Sequence, residues 1–63
     1  MLDVNSEIED ITNDICISKL NLMGLYDLIS NKNIKRQLNE IINLLEQAED
    51  LLDKINEQSE NHS

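Results

Sequence analysis

A chain of 63 residues with 13 acidic and 5 basic side chains, a formal charge of −8, is one domain at most. Phe, Trp and Pro are absent and Gly occurs once, while Leu, Ile, Asn, Glu and Asp dominate, which excludes a sheet-rich, collagenous or disulfide scaffold and describes a helical chain. The acidic balance excludes general attraction to nucleic acid or an anionic membrane, and it favours a protein partner with a basic surface.

So short a chain hides only roughly 60% of the surface its unfolded form exposes, so it needs a disulfide, a metal or oligomerisation as support. Cys16 is the single cysteine and His62 the single histidine, far apart, so neither an internal disulfide nor a ligand set is expected and no cofactor is implied. Oligomerisation remains. Met1-Leu2-Asp3-Val4 has neither a basic nor an apolar leader, and nowhere do about 18 apolar residues run together. A cytoplasmic location without membrane attachment is predicted, and the single thiol fits a reducing compartment.

In chain order, the first helix is predicted over about residues 6–30. Ser6-x-x-Glu9 has the form of a capping box, with Asp3 and Asn5 as competing caps, and Glu7, Glu9 and Asp10 suit the positive end of the helix dipole. Apolar or small residues recur at Val4, Ile8, Ile11, Ile15, Ser18, Leu22, Leu25 and Ile29, alternating three and four apart as in a coiled-coil seam. Ile17, Leu20, Gly24 and Leu28 lie on roughly the opposite side and form a second apolar face. Gly24 costs about 1 kcal/mol relative to Ala inside a helix, and its place on that face predicts close approach of another backbone.

Ser30-Asn31-Lys32-Asn33 is the predicted break, with Asn31 in the left-handed conformation and Asn33 capping the next helix. The heptad phase shifts between Ile29 and Leu38, an offset that a continuous coiled coil absorbs only with strain. The second helix, about 34–57, carries Ile34, Leu38, Ile41, Leu45, Ala48, Leu52 and Ile55 on its seam, widened by Ile42, Leu44 and Leu51. Residues 1–58 then form the domain, and 59–63, His62 included, a disordered polar tail.

Pairing Ile29 with Ile34, Leu25 with Leu38, Leu22 with Ile41, Ser18 with Leu45, Ile15 with Ala48, Ile11 with Leu52 and Ile8 with Ile55 satisfies every layer in one register. The predicted fold is all-α, an antiparallel two-helix hairpin that dimerises into a four-helix bundle. Ser18 opposite Leu45 is its thin layer.

No catalytic constellation is present, so no enzyme is expected: there is no nucleophile beside a His and an acid, and no Gly-rich phosphate loop. Glu46, Glu49, Asp50 and Asp53 read as a solvated helix face, Cys16 as a small buried hydrophobe, and Tyr26 as a residue at the core's edge. The functional expectation is a small acidic regulatory interaction module, an inhibitor, anti-repressor or adaptor acting as a homodimer on a larger protein. Its partner or dimer surface is placed on Ile17, Leu20, Gly24 and Leu28, together with Ile42, Leu44 and Leu51. The alternative is RNA binding through a basic hairpin tip of Lys32, Lys35 and Arg36, which supplies three of the five bases. With acids gathered at the open end and bases at the tip, two hairpins are expected to associate with their tips at opposite ends.

Overall fold

The computed structural model describes residues 3–61, with side chains through Gln58; Met1, Leu2, His62 and Ser63 lie outside the described residues. Two helices, α1 (Val4–Leu28) and α2 (Lys32–Asn61), turn back on each other as an antiparallel hairpin, and no strand occurs among the described residues. The result is a rod with extents of 49 × 16 × 12 Å.

The cap of α1 is Asp3, one turn earlier than the expected start. Its carboxylate accepts from the Asn5 and Ser6 amides at 3.1 and 3.3 Å, so the Ser6 to Glu9 capping box is unused. The connection also differs from the expected one. α1 ends at Ile29 in extended backbone (φ −92°, ψ 136°), and among the described residues none has a positive φ. Asn31 therefore does not close α1 in the left-handed conformation. It opens α2 instead, its side-chain oxygen accepting from the Asn33 and Ile34 amides at 2.9 and 3.2 Å. Asn33, the expected cap, accepts from Arg36. At its far end α2 runs to Asn61, about one turn past the expected boundary.

The two helices meet along a line different from the expected seam. On α1 the half-buried or buried positions are Asn5, Ile8, Thr12, Ile15, Lys19, Leu22, Tyr26 and Ile29; on α2 they include Lys35, Leu38, Ile42, Leu45, Glu49, Leu52 and Asn56. Every first member of the expected repeat is kept and the second members are displaced by one residue, Thr12 for Ile11, Lys19 for Ser18, Tyr26 for Leu25 and Ile42 for Ile41, except that Ala48 stays half-buried beside Glu49. Each helix is thus rotated about 50° from the purely apolar seam. Ser18 and Cys16 are exposed, so there is no thin Ser18 layer and Cys16 is not a core residue.

Polar groups make this seam possible. The Thr12 hydroxyl donates to the Ile8 carbonyl of its own helix at 2.8 Å, so it enters the contact already satisfied. Lys19 forms a half-buried ion pair with Glu49 at mid-length. This pair reaches diagonally between neighbouring turns, while Lys35 over Tyr26 near the tip and Ile8 with Asn56 in one cleft at the open end keep the register close to the apolar match. Near the tip, Lys35 stands 4.6 Å over the Tyr26 ring. Its positive charge opposes the dipole of its own helix but rests on the last turns of α1, where the dipole favours it.

The core that results is thin. Ile8, Leu38 and Ile42 are the buried hydrophobic residues, at 7–8% exposure, and no side chain is completely enclosed.

Two predictions follow from the caps and the ion pair. Asn31→Ala should destabilise the hairpin by about 1 kcal/mol, read as a lower urea midpoint, whereas Asn33→Ala should leave it nearly unchanged. The hydrogen bond to Glu49 pushes the Lys19 ammonium above its ordinary 10.5, outweighing partial burial, which acts in the opposite direction. A raised folded value means that the folded state holds the proton more tightly. The stability this contributes is complete below 10.5 and is lost as pH rises through the higher folded value. The stability difference between the unmodified protein and Glu49→Gln should therefore be constant at neutral pH and shrink only in strongly alkaline solution.

Candidate protein interface

The rotation of the seam decides what is left outside. Val4, Ile11 and Leu25 of α1 and Ile34, Ile41 and Ile55 of α2 are each between 42 and 48% exposed, although all belong to the apolar repeat. These residues stand about 75° to one side of the line of contact on each helix. In an antiparallel pair that side is common to both helices. They therefore form one face of the hairpin, which Leu44 and Leu51 widen along α2. Ser18 and Ala48, the small members of the repeat, occupy the middle of this face.

The opposite face is polar. Two shallow clefts open there, one between Glu9, Thr12 and Asn13 on α1 and Asp53 and Asn56 on α2, the other between Met23, Tyr26 and Asp27 and Asn39, Asn43 and Glu46. That the two clefts fall on this side confirms which flanks of the helices share a face. Among the described residues, no group of three His, Cys, Asp or Glu side chains is placed to hold a metal ion, and no helix is long and apolar enough to cross a membrane.

The interface residues expected from the sequence do not form a single surface. Ile42 is buried between the helices at 7% exposure and belongs to the core, which corrects its assignment to an accessible edge. Leu44 and Leu51 join the apolar face just described, and Leu28, 84% exposed at the end of α1, stands at its rim beside Leu25. Ile17, Leu20 and Gly24 lie on the back of α1, away from α2. A methyl group added at Gly24 would meet nothing within 4 Å, so no backbone approaches it in the hairpin. From Ile15 to Leu28, α1 is consequently apolar nearly all round, whereas α2 keeps its apolar residues to one side. The residues missed by the sequence reading were Ile11, Leu25, Ile41 and Ile55, which looked like core because pairing apolar with apolar presumes that the hairpin is the whole assembly.

The basic tip is partly committed within the chain. Lys35 is half-buried over Tyr26 and Arg36 donates to Asn33 at 3.0 Å, while Lys32 is exposed at the start of α2. At the other end of the rod Glu7, Glu9 and Asp10 lie beside Asp53 and Glu57, all exposed. No protein-family model, no curated protein and no solved structure matches this chain.

Since nothing in the hairpin touches Gly24, Gly24→Ala should stabilise the isolated protomer by about 0.5–1 kcal/mol through helix propensity alone. Thermal melting at low concentration reads this directly, and a fall in stability would place another backbone against Gly24.

Proposed function

We propose that this chain is a small acidic protein interaction module, a homodimeric helical hairpin that docks on a larger protein with a basic surface and acts as an inhibitor, anti-repressor or adaptor. The observation that carries this reading is the middle of α1. A helix apolar nearly all round belongs inside an assembly, yet this one contacts α2 along a single line and leaves Ile17 and Leu20 at 58 and 63% exposure. Two surfaces are therefore available, the face around Ile41 and the back of α1, and a homodimer plus one foreign partner uses both. The acidic surface steers such a complex toward a basic target. The engagement of Lys35 by Tyr26 and of Arg36 by Asn33 favours a protein partner over RNA.

The test separates the two surfaces. Leu20→Glu should keep the helical circular-dichroism spectrum and the dimer mass in sedimentation but lose the bound protein in a pull-down from the native source. Leu51→Glu should lower the dimer mass. A gel shift of total RNA at low salt, where phosphate contacts are strongest, would replace this reading with the nucleic-acid one.

A further inference from the structure

The apolar face and the charges at its two ends together specify an occupant. The chain exposes 5068 Å², whereas a compact monomer of 7.3 kDa exposes about 4200 Å². The difference, about 900 Å², is spread over every side of the rod; it favours association without naming the face. Along the face the side chains come in layers seven residues, about 10.5 Å, apart: Ile11 with Ile55 toward the open end, Ser18 with Ala48 at the centre, Leu25 with Ile41 toward the tip. This pattern is palindromic in size. Turned end over end about its centre, the face presents large layers to large layers and small to small.

We propose that a second copy of this chain covers this face with its loop tip at the opposite end, so that a two-fold axis runs across the face through the layer of Ser18 and Ala48 and each helix lies along its own copy. The proposal rests on the self-associating reading above and adds its geometry. Across the axis, Ile11 packs on the partner copy's Leu25 position, Ile41 on that of Ile55 and Leu44 on that of Leu51. Ser18 and Ala48 meet their own copies, where small side chains permit close approach of the helices. The open end of each rod, which carries Glu7, Glu9, Asp10, Asp53 and Glu57, then lies beside the other protomer's tip, which carries Lys32. With the tips together the two acidic ends would lie side by side, and like charges disfavour that arrangement.

The arrangement has a functional consequence. Because α1 lies along α1, Ile17 and Leu20 of both protomers fall on the same side of the bundle and make one continuous docking stripe centred on the two-fold axis. With the tips together, the two α1 helices would sit at diagonal corners and carry two separate stripes. The proposed dimer therefore binds one partner molecule, not two.

Single thiols test the geometry in a Cys16→Ser background, which removes the only native cysteine. Ala48→Cys should be joined to its own copy by a short bismaleimide in high yield, and Ser18→Cys likewise, while Ser30→Cys in the connection should not be. Spin labels at Ser30→Cys should report a separation comparable to the 49 Å length of the rod. Joined Ser30→Cys thiols, or a mixture in which Ser18→Cys couples only to Ala48→Cys, would overturn the orientation while leaving the dimer standing. A dimeric mass with no coupling at either central position would overturn the choice of face. A monomeric mass for the unmodified protein at high concentration would remove the second copy as occupant, and the pull-down with Leu20→Glu would still report on docking to a different protein.

Discussion

The ion pair between Lys19 and Glu49 organises this hairpin out of proportion to its strength. A half-buried pair of this type adds little net stability, since desolvation offsets much of the attraction. What it does is choose. Bringing Lys19 inward turns α1, bringing Glu49 inward turns α2, and the two side chains meet only if the helices are aligned to within a turn. With that choice made, Thr12 and Tyr26 follow Lys19 into the contact and Ile11, Ser18 and Leu25 turn outward.

The same rotation leaves much of the apolar repeat outside the hairpin. A hairpin that buried all of its apolar repeat would be a finished object with a polar exterior. Here the apolar arc of α2 straddles two directions: Leu38, Leu45 and Leu52 point between them, Ile42 faces α1, and Ile41 and Ile55 face away. An arc of that width is what a helix in a four-helix bundle needs, because each helix there has two neighbours. The thin core and the exposed face are two aspects of one geometry.

Much of the fold was legible because it depends on local signals. The heptad spacing from Ile8 to Ile29 and from Leu38 to Leu52 names two amphipathic helices, and the cluster of Asn residues between them names the turn. The seam was not legible, since Thr12, Lys19, Glu49 and Asn56 each resemble ordinary surface residues and only their joint placement in three dimensions makes them internal. A faint signal existed: Lys19 and Glu49 occupy equivalent positions of the two repeats, next to the small residues Ser18 and Ala48. The cap was misread for a related reason, as Asp3, Asn5 and Ser6 are all competent and the sequence does not rank them. Ile17, Leu20 and Gly24 lie on the back of α1 whatever seam is chosen, so their exposure follows from the helix alone.

The polarity of the seam along its length also sets an order of assembly. Tyr26 and Lys35, which meet near the tip, are separated by few residues, whereas Ile8 and Asn56, which line the same cleft at the open end, are far apart in the chain. Closing the longer loop first would cost about 1.5 kcal/mol more in chain entropy. The open end offers less in return, for the side-chain oxygens of Asn5 and Asn56 are buried there without hydrogen-bond partners. On both counts the tip, with Leu38 and Ile42, closes at lower cost than the open end, with Ile8. The acidic end is therefore the cheaper of the two ends to open.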